Sequence, residues 1–148
     1  MSDLQRFLEA QNFGDTYATA LNEIKSGRKR SHWIWYIFPQ LKGLGRSRRS
    51  EFYGIANLDE ARDYLQHEIL GKRLVEISNA LLQLDENDAY TVMGSPDDMK
   101  LQSCMTLFAI ISEDDSNASV FHRVLEKFFA GKMDNNTLEL VKGNHERI

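Results

Sequence analysis

Apolar residues recur along most of this chain at intervals of three and four, the spacing of one helix face, with only two prolines and nine glycines to interrupt them. Leu4, Phe7 and Leu8 share a face, and Ser2 with Gln5 has the form of a capping box, which predicts a short helix to about Gln11. Tyr17, Leu21 and Ile24 form the stripe of a second helix, from about Asp15 to a stop at Gly27. Asn57 is the cap of a third, with Asp59 and Glu60 in its first turn and Leu58, Ala61 and Leu65 inward. A longer helix is predicted from about Leu70 to Leu84, in register through Leu74, Ile77 and Leu81, and Asp85-Glu86-Asn87-Asp88 breaks it. Ser95-Pro96-Asp97-Asp98 reads as a helix start, with serine as cap, proline in the first position and acids in the first turn. Leu101, Cys104, Met105, Phe108 and Ile111 line that helix, and Glu113 to Asn117 reads as an acidic turn. Val120, Phe121, Val124, Leu125, Phe128 and Phe129 mark a last large helix ending at Gly131. A short helix from Asn136 to about Val141 closes the chain, with Gly143 to Ile148 expected to fray.

The run His32-Trp33-Ile34-Trp35-Tyr36-Ile37-Phe38-Pro39-Gln40 does not resolve this way. Trp33, Ile34, Ile37 and Phe38 fall at helical spacing, yet the aromatic and β-branched content equally suits a buried strand. Pro39 ends the element and biases Phe38 away from helix. The glycine-containing stretch Lys42 to Ser50 then reads as a flexible basic loop. The expected fold is mostly α: a compact single-domain multi-helix fold over residues 1–148, with a short extended segment around 32–40 as the open alternative.

Composition supports one soluble domain. The chain has 148 residues, 42% hydrophobic and 27% charged, and shows no repeats, low-complexity tracts or linker. A single cysteine, Cys104, forms no internal disulfide, which suits a reducing compartment. The N-terminus is polar and has no signal core, and no apolar run approaches the roughly 20 residues of a membrane span. A cytoplasmic protein without a membrane partner is expected.

Charge changes the picture more. Between Lys25 and Ser50 lie eight cations, Lys25, Arg28, Lys29, Arg30, Lys42, Arg46, Arg48 and Arg49, and not one acid. Both tryptophans sit inside this stretch, while the rest of the chain holds all 22 acids. Such segregation favours a local site for an anion, one with a flat ring attached. The net charge of −4 disfavours general nucleic-acid binding.

Each candidate has a plainer reading beside it. Trp35 and Tyr36 can supply a stacking wall, with His32 available for proton transfer, whereas aromatic rings more often build the core. Gly43 and Gly45, with Lys42 and Arg46, offer backbone donors and cations for a phosphate, but match no phosphate-loop pattern and read equally as a solvated loop. Asp98 with Asp97 and Lys100 can serve acid–base chemistry, although acids in a first helical turn usually complement the helix dipole. Cys104 shares an apolar face with Leu101 and Phe108 and reads as a buried thiol. His32, His67, His122 and His145 are scattered without ligand spacing, so no metal or other cofactor is expected.

Several strings together resemble the family called domain of unknown function 1810. They are Ala20-Leu21-x-Glu23-Ile24, Ser31-His32-Trp33-Ile34-Trp35-Tyr36-Ile37-Phe38-Pro39-Gln40-Leu41-x-Gly43-Leu44-Gly45-x-Ser47, Leu70-Gly71-x-Arg73-Leu74, and Asp97-Asp98-x-Lys100-Leu101-x-Ser103-x-Met105-Thr106-Leu107-Phe108. Phe121-x-x-Val124-Leu125 and Gly131-x-x-Asp134-x-x-Thr137-Leu138 extend the resemblance to about residues 4–141. It implies a mostly helical cytoplasmic protein and no established reaction. It also marks His32 and Arg73, which belong to the family pattern and have no evident packing reason, as site candidates. A fainter similarity is to YbiA-type ADP-ribose-linked domains, in the order of an aromatic segment, Lys100 to Met105, and Lys127-Phe128. Those domains carry a glutamate in the aromatic segment; Ser31 and His32 stand there in this chain, so a related nucleotide-like pocket is implied rather than their glycosidic chemistry.

The functional expectation is therefore binding, with hydrolysis as an extension, of a phosphate-bearing nucleotide or ADP-ribose-like small molecule. His32, Asp98 and Lys100 are the proton-transfer candidates, and Lys29, Trp35, Tyr36, Gly43, Gly45, Arg46 and Arg73 the binding candidates. The alternative is an adaptor that docks an acidic protein partner on the Lys25–Arg49 patch.

Overall fold

In the computed structural model, residues 3–112 and 118–146 are described. The first two stripes fold as α1 (Gln5–Asn12) and α2 (Thr16–Lys25), joined by a 3₁₀ turn at Phe13–Asp15. The cap of α1 is Leu4, which has no side-chain cap, so the helix starts at Gln5 and not behind Ser2, which lies outside the described residues. The aromatic run forms one helical turn, α3 (Ile34–Ile37), because Ile37 N–H and Phe38 N–H donate to the Trp33 and Ile34 carbonyls at 3.2 and 3.0 Å. Phe38 leaves helical geometry just before Pro39. The only extended pairing among the described residues is a parallel bridge between Leu41 and Ile55.

The segment expected to be a flexible loop carries a helix, α4 (Arg48–Tyr53), capped by Ser47, whose Oγ accepts the Ser50 N–H at 3.1 Å. A second unexpected helix, α7 (Ala89–Met93), is capped in the same way by Asp88. Between them run α5 (Leu58–Gln66), capped by Asn57 as expected, and α6 (Leu70–Leu82). Helix α8 is Asp97–Ile111, with Pro96 in the cap position instead of the first helical one. Asp98 N–H donates to the Gly94 carbonyl, and the Asp98 carboxylate, not Ser95, accepts the Met99 N–H at 2.8 Å. Then come α9 (Ala118–Phe129) and α10 (Asn135–Glu146). The last helix runs past Val141 to Glu146, into the stretch expected to fray, whose last two residues lie outside the described residues; Asp134 caps its N-terminus by accepting the Thr137 N–H and Oγ1–H at 3.0 and 2.5 Å. The expected acidic turn at 113–117 lies outside the described residues.

Helix α8 is the central post of the fold. It packs against α9, α5, α7, α10 and α3, and its residues Leu101, Ser103, Cys104, Met105, Thr106, Leu107, Phe108 and Ala109 are all buried. A helix enclosed on most sides loses the one-sided stripe that periodicity looks for. Ser103, Thr106 and Ser112 are tolerated there because each hydroxyl donates to the carbonyl four residues back. On the other side of the core, Arg6 and Glu60 form a buried ion pair at 2.8 Å. Arg6 also donates to the Phe52 and Gly54 carbonyls, which ties α1 to the end of α4.

Candidate functional site

The turn between α2 and α3 is organised by Glu23, a residue the charge pattern did not single out. Its carboxylate accepts Arg30 N–H at 2.7 Å, Ser31 N–H at 2.9 Å, Ser31 Oγ–H at 2.5 Å and Trp33 Nε1–H at 3.0 Å. Burial alone would raise its pKa, but the hydrogen bonds, led by that from Ser31, more than offset this and hold it below the usual value. Glu23 therefore fixes where the tryptophan segment leaves α2.

From that anchor the two tryptophans diverge. Trp33 is 1% exposed, and Lys29 Nζ stands 4.9 Å from its ring centroid. Lys29 is wholly committed: it pairs with Asp97 at 2.8 Å and also donates to the Ser31 carbonyl. Trp35 is half-buried, and two cations stand over its ring, Arg49 at 4.9 Å and Lys100 at 5.0 Å from the centroid. The first turns of α8 thus serve both rings, Asp97 through Lys29 and Lys100 directly.

The Trp35 environment is electrostatically incomplete. The ion pairs of the described residues are Arg6–Glu60, Lys29–Asp97 and Arg62–Asp59, so Arg49 and Lys100 have no carboxylate partner among the described residues. Sharing one ring centroid, they lie within about 10 Å of each other, where they repel by at least about 0.4 kcal/mol in water and about 1.7 kcal/mol at an effective dielectric of about 20. The negative face of the ring offsets part of that. The Trp35 Nε1–H is itself buried with no acceptor among the described residues. Among the described residues this grouping has two cations without a carboxylate, one donor without an acceptor, and a ring.

None of the other sequence candidates is among the cations over the Trp35 ring. The His32 side chain is exposed and takes no part in the ion pairs or side-chain hydrogen bonds of the described residues, and only its carbonyl is used, accepting Tyr36 Oη–H at 3.2 Å. Asp98 caps its own helix. Tyr36 packs its ring on Tyr53 with centroids 5.1 Å apart, and burial, followed by the neighbouring Tyr53, raises its pKa against the lowering effect of Arg49. Arg73 donates to Gln11 Oε1 at 3.1 Å and stands over the Tyr17 ring, and Gln11 in turn donates to the Tyr36 carbonyl and Tyr64 Oη. That is a packing role. Gly43 takes a left-handed φ of 104° and borders a separate cleft of about 330 Å³ with Lys42, Glu51 and Glu139. Gly45 lies so close to α4 that an added Cβ would meet Ser50 Oγ at 2.3 Å. Arg46 and Arg48 are exposed and form none of the ion pairs of the described residues. Arg49 is the residue that sequence reasoning passed over; the signal available was Ser47 as a helix cap, which would have put Arg49 on an ordered element.

Among the described residues no helix is long and apolar enough to cross a membrane, and no group of His, Cys, Asp or Glu is arranged to hold a metal ion. Cys104 is buried as expected, and burial pushes its thiol well up.

Comparison with known proteins agrees with the fold. The crystal structure of the conserved hypothetical protein Rv1873 from Mycobacterium tuberculosis is similar at a TM-score of 0.89 and 41% sequence identity, covering 95% of this chain and 96% of that one. No curated protein is matched. The family model described as protein of unknown function (DUF1810) matches residues 1–141, and the chain belongs to that family.

Proposed function

We propose that this protein binds a phosphate-bearing, ring-containing small molecule, such as a nucleotide or an ADP-ribose derivative, at Trp35 with Arg49 and Lys100. The observation that carries the reading is the meeting of two cations and a buried indole N–H that have, among the described residues, no carboxylate and no acceptor. The buried indole N–H costs free energy while it has no acceptor, and the two cations, Arg49 exposed and Lys100 half-buried, leave their charge for an anionic ligand to pair. Of the residues expected to transfer protons only Lys100 stands over the Trp35 ring, so the proposal is one of binding.

The test is intrinsic fluorescence of the wild type and of Trp35→Phe, titrated with AMP and ADP-ribose to millimolar concentration at low and moderate salt. A saturable response that disappears in Trp35→Phe is expected. No Trp35-dependent response sinks the reading. Chromatography of the incubated ligands tests turnover.

A second reading is an adaptor for an acidic protein partner. It is favoured by exposed Arg46 and Arg48 beside Phe52, whose side chain is 59% exposed on α4. It predicts salt-sensitive binding of acidic peptides that small phosphates do not displace.

A further inference from the structure

We infer that the Trp35 site takes a doubly charged oxyanion, a phosphate monoester or a diphosphate, at the nitrogen edge of the indole and not a flat ring on its face. The inference rests on the binding reading above and adds where the ligand's charge sits. Arg49 and Lys100 both stand over the ring, so a base stacking on an occupied face has to displace a cation. Trp33 offers no substitute platform, because it is buried and Lys29 stands over it.

The edge differs from the faces. An indole nitrogen is a donor only, and a buried donor without an acceptor is costly. Trp33 Nε1 has its acceptor in Glu23, whereas Trp35 Nε1 has none among the described residues. Nε1 is closed to solvent in the free protein, so an incoming oxygen supplies the acceptor by displacing a side chain that covers it. A carboxylate carries one charge and neutralises one of the two cations. A phosphate monoester carries nearly two and presents three terminal oxygens, enough for Nε1, the Arg49 guanidinium and the Lys100 ammonium together. Arginine suits this role through its planar fork of donors, and lysine through its mobile point charge.

Calorimetry with pyrophosphate, AMP, adenosine and acetate tests the inference. Pyrophosphate and AMP are expected to bind with similar affinity and to compete, with no binding of adenosine or acetate at millimolar concentration. Trp35→Phe should weaken pyrophosphate about tenfold, the effect of one charge-assisted hydrogen bond. The double variant Arg49→Gln/Lys100→Gln should lose binding and flatten its salt dependence. Adenosine binding as tightly as AMP overturns the edge geometry while leaving nucleotide binding standing. Pyrophosphate binding without AMP binding does the reverse. If neither binds, both readings fall. Should Trp35→Phe not fold, the double variant decides, and unchanged pyrophosphate affinity in it overturns the inference.

Discussion

Glu23→Ala removes the acceptor that closes the turn between α2 and α3, and its cost can be worked from the four donors. Arg30 is exposed, so water replaces the carboxylate at its amide for little cost. Trp33 is 1% exposed, so its N–H loses a charged acceptor with restricted access to water, about 1.5–3 kcal/mol. Ser31 is half-buried and adds about 1 kcal/mol. The expected loss is about 2–4 kcal/mol, which at a slope of about 2 kcal/mol per molar urea lowers the midpoint by about 1–2 M. Glu23→Gln keeps the oxygen that serves three donors, and its amide can donate to Ser31 Oγ, so its loss should stay below about 1 kcal/mol. The assay is urea unfolding followed by far-UV circular dichroism at pH 7. A Glu23→Ala midpoint equal to that of the wild type refutes the hub, and equal losses for alanine and glutamine refute the acceptor geometry in favour of charge alone. The folded pKa of Glu23 is depressed, so the carboxylate's contribution is fully present above its unfolded value of 4.5 and lost as pH falls through the folded value. The advantage of wild type over Glu23→Gln should therefore shrink below that pH.

Three further outcomes are expected. Gly71→Ala should cost about 3 kcal/mol or more in the same assay, because its Cβ would sit 1.9 Å from the backbone oxygen of Leu65, whereas Gly143→Ala in α10 meets nothing within 4 Å and should gain about 0.5–1 kcal/mol of helix propensity. Arg6→Ala should cost about 3–5 kcal/mol by leaving buried Glu60 without its cation; a urea midpoint near that of wild type would contradict the assignment of this pair as buried. Cys104 should be silent to a thiol reagent in the native protein and react only at the rate of unfolding, so fast native labelling would argue against its burial.

Much of the fold was legible from local chemistry. The stripe Leu70, Leu74, Ile77, Leu81 became the inner face of α6, and Asn57 capped α5, because such signals act within about four residues of chain. Helices α4 and α7 escaped because six and five residues are too few to show a period. Their caps, Ser47 and Asp88, were visible, but a single turn holds only when packed on neighbours. Helix α8 showed half its burial, since neighbours on most sides also enclose residues off the stripe.

The same division runs through the candidate site. From the sequence alone came the mostly helical class, the family, and the concentration of cations around two tryptophans. Which cation meets which partner was settled only in three dimensions. Lys29 and Arg73 found Asp97 and Gln11 and became part of the structure. Arg49 and Lys100, 14 and 65 positions from Trp35, converged on its ring with no carboxylate among the described residues to neutralise them. Helix signals are properties of adjacent residues, whereas a charge's environment is set by whatever the packing of distant helices brings within a few ångströms of it.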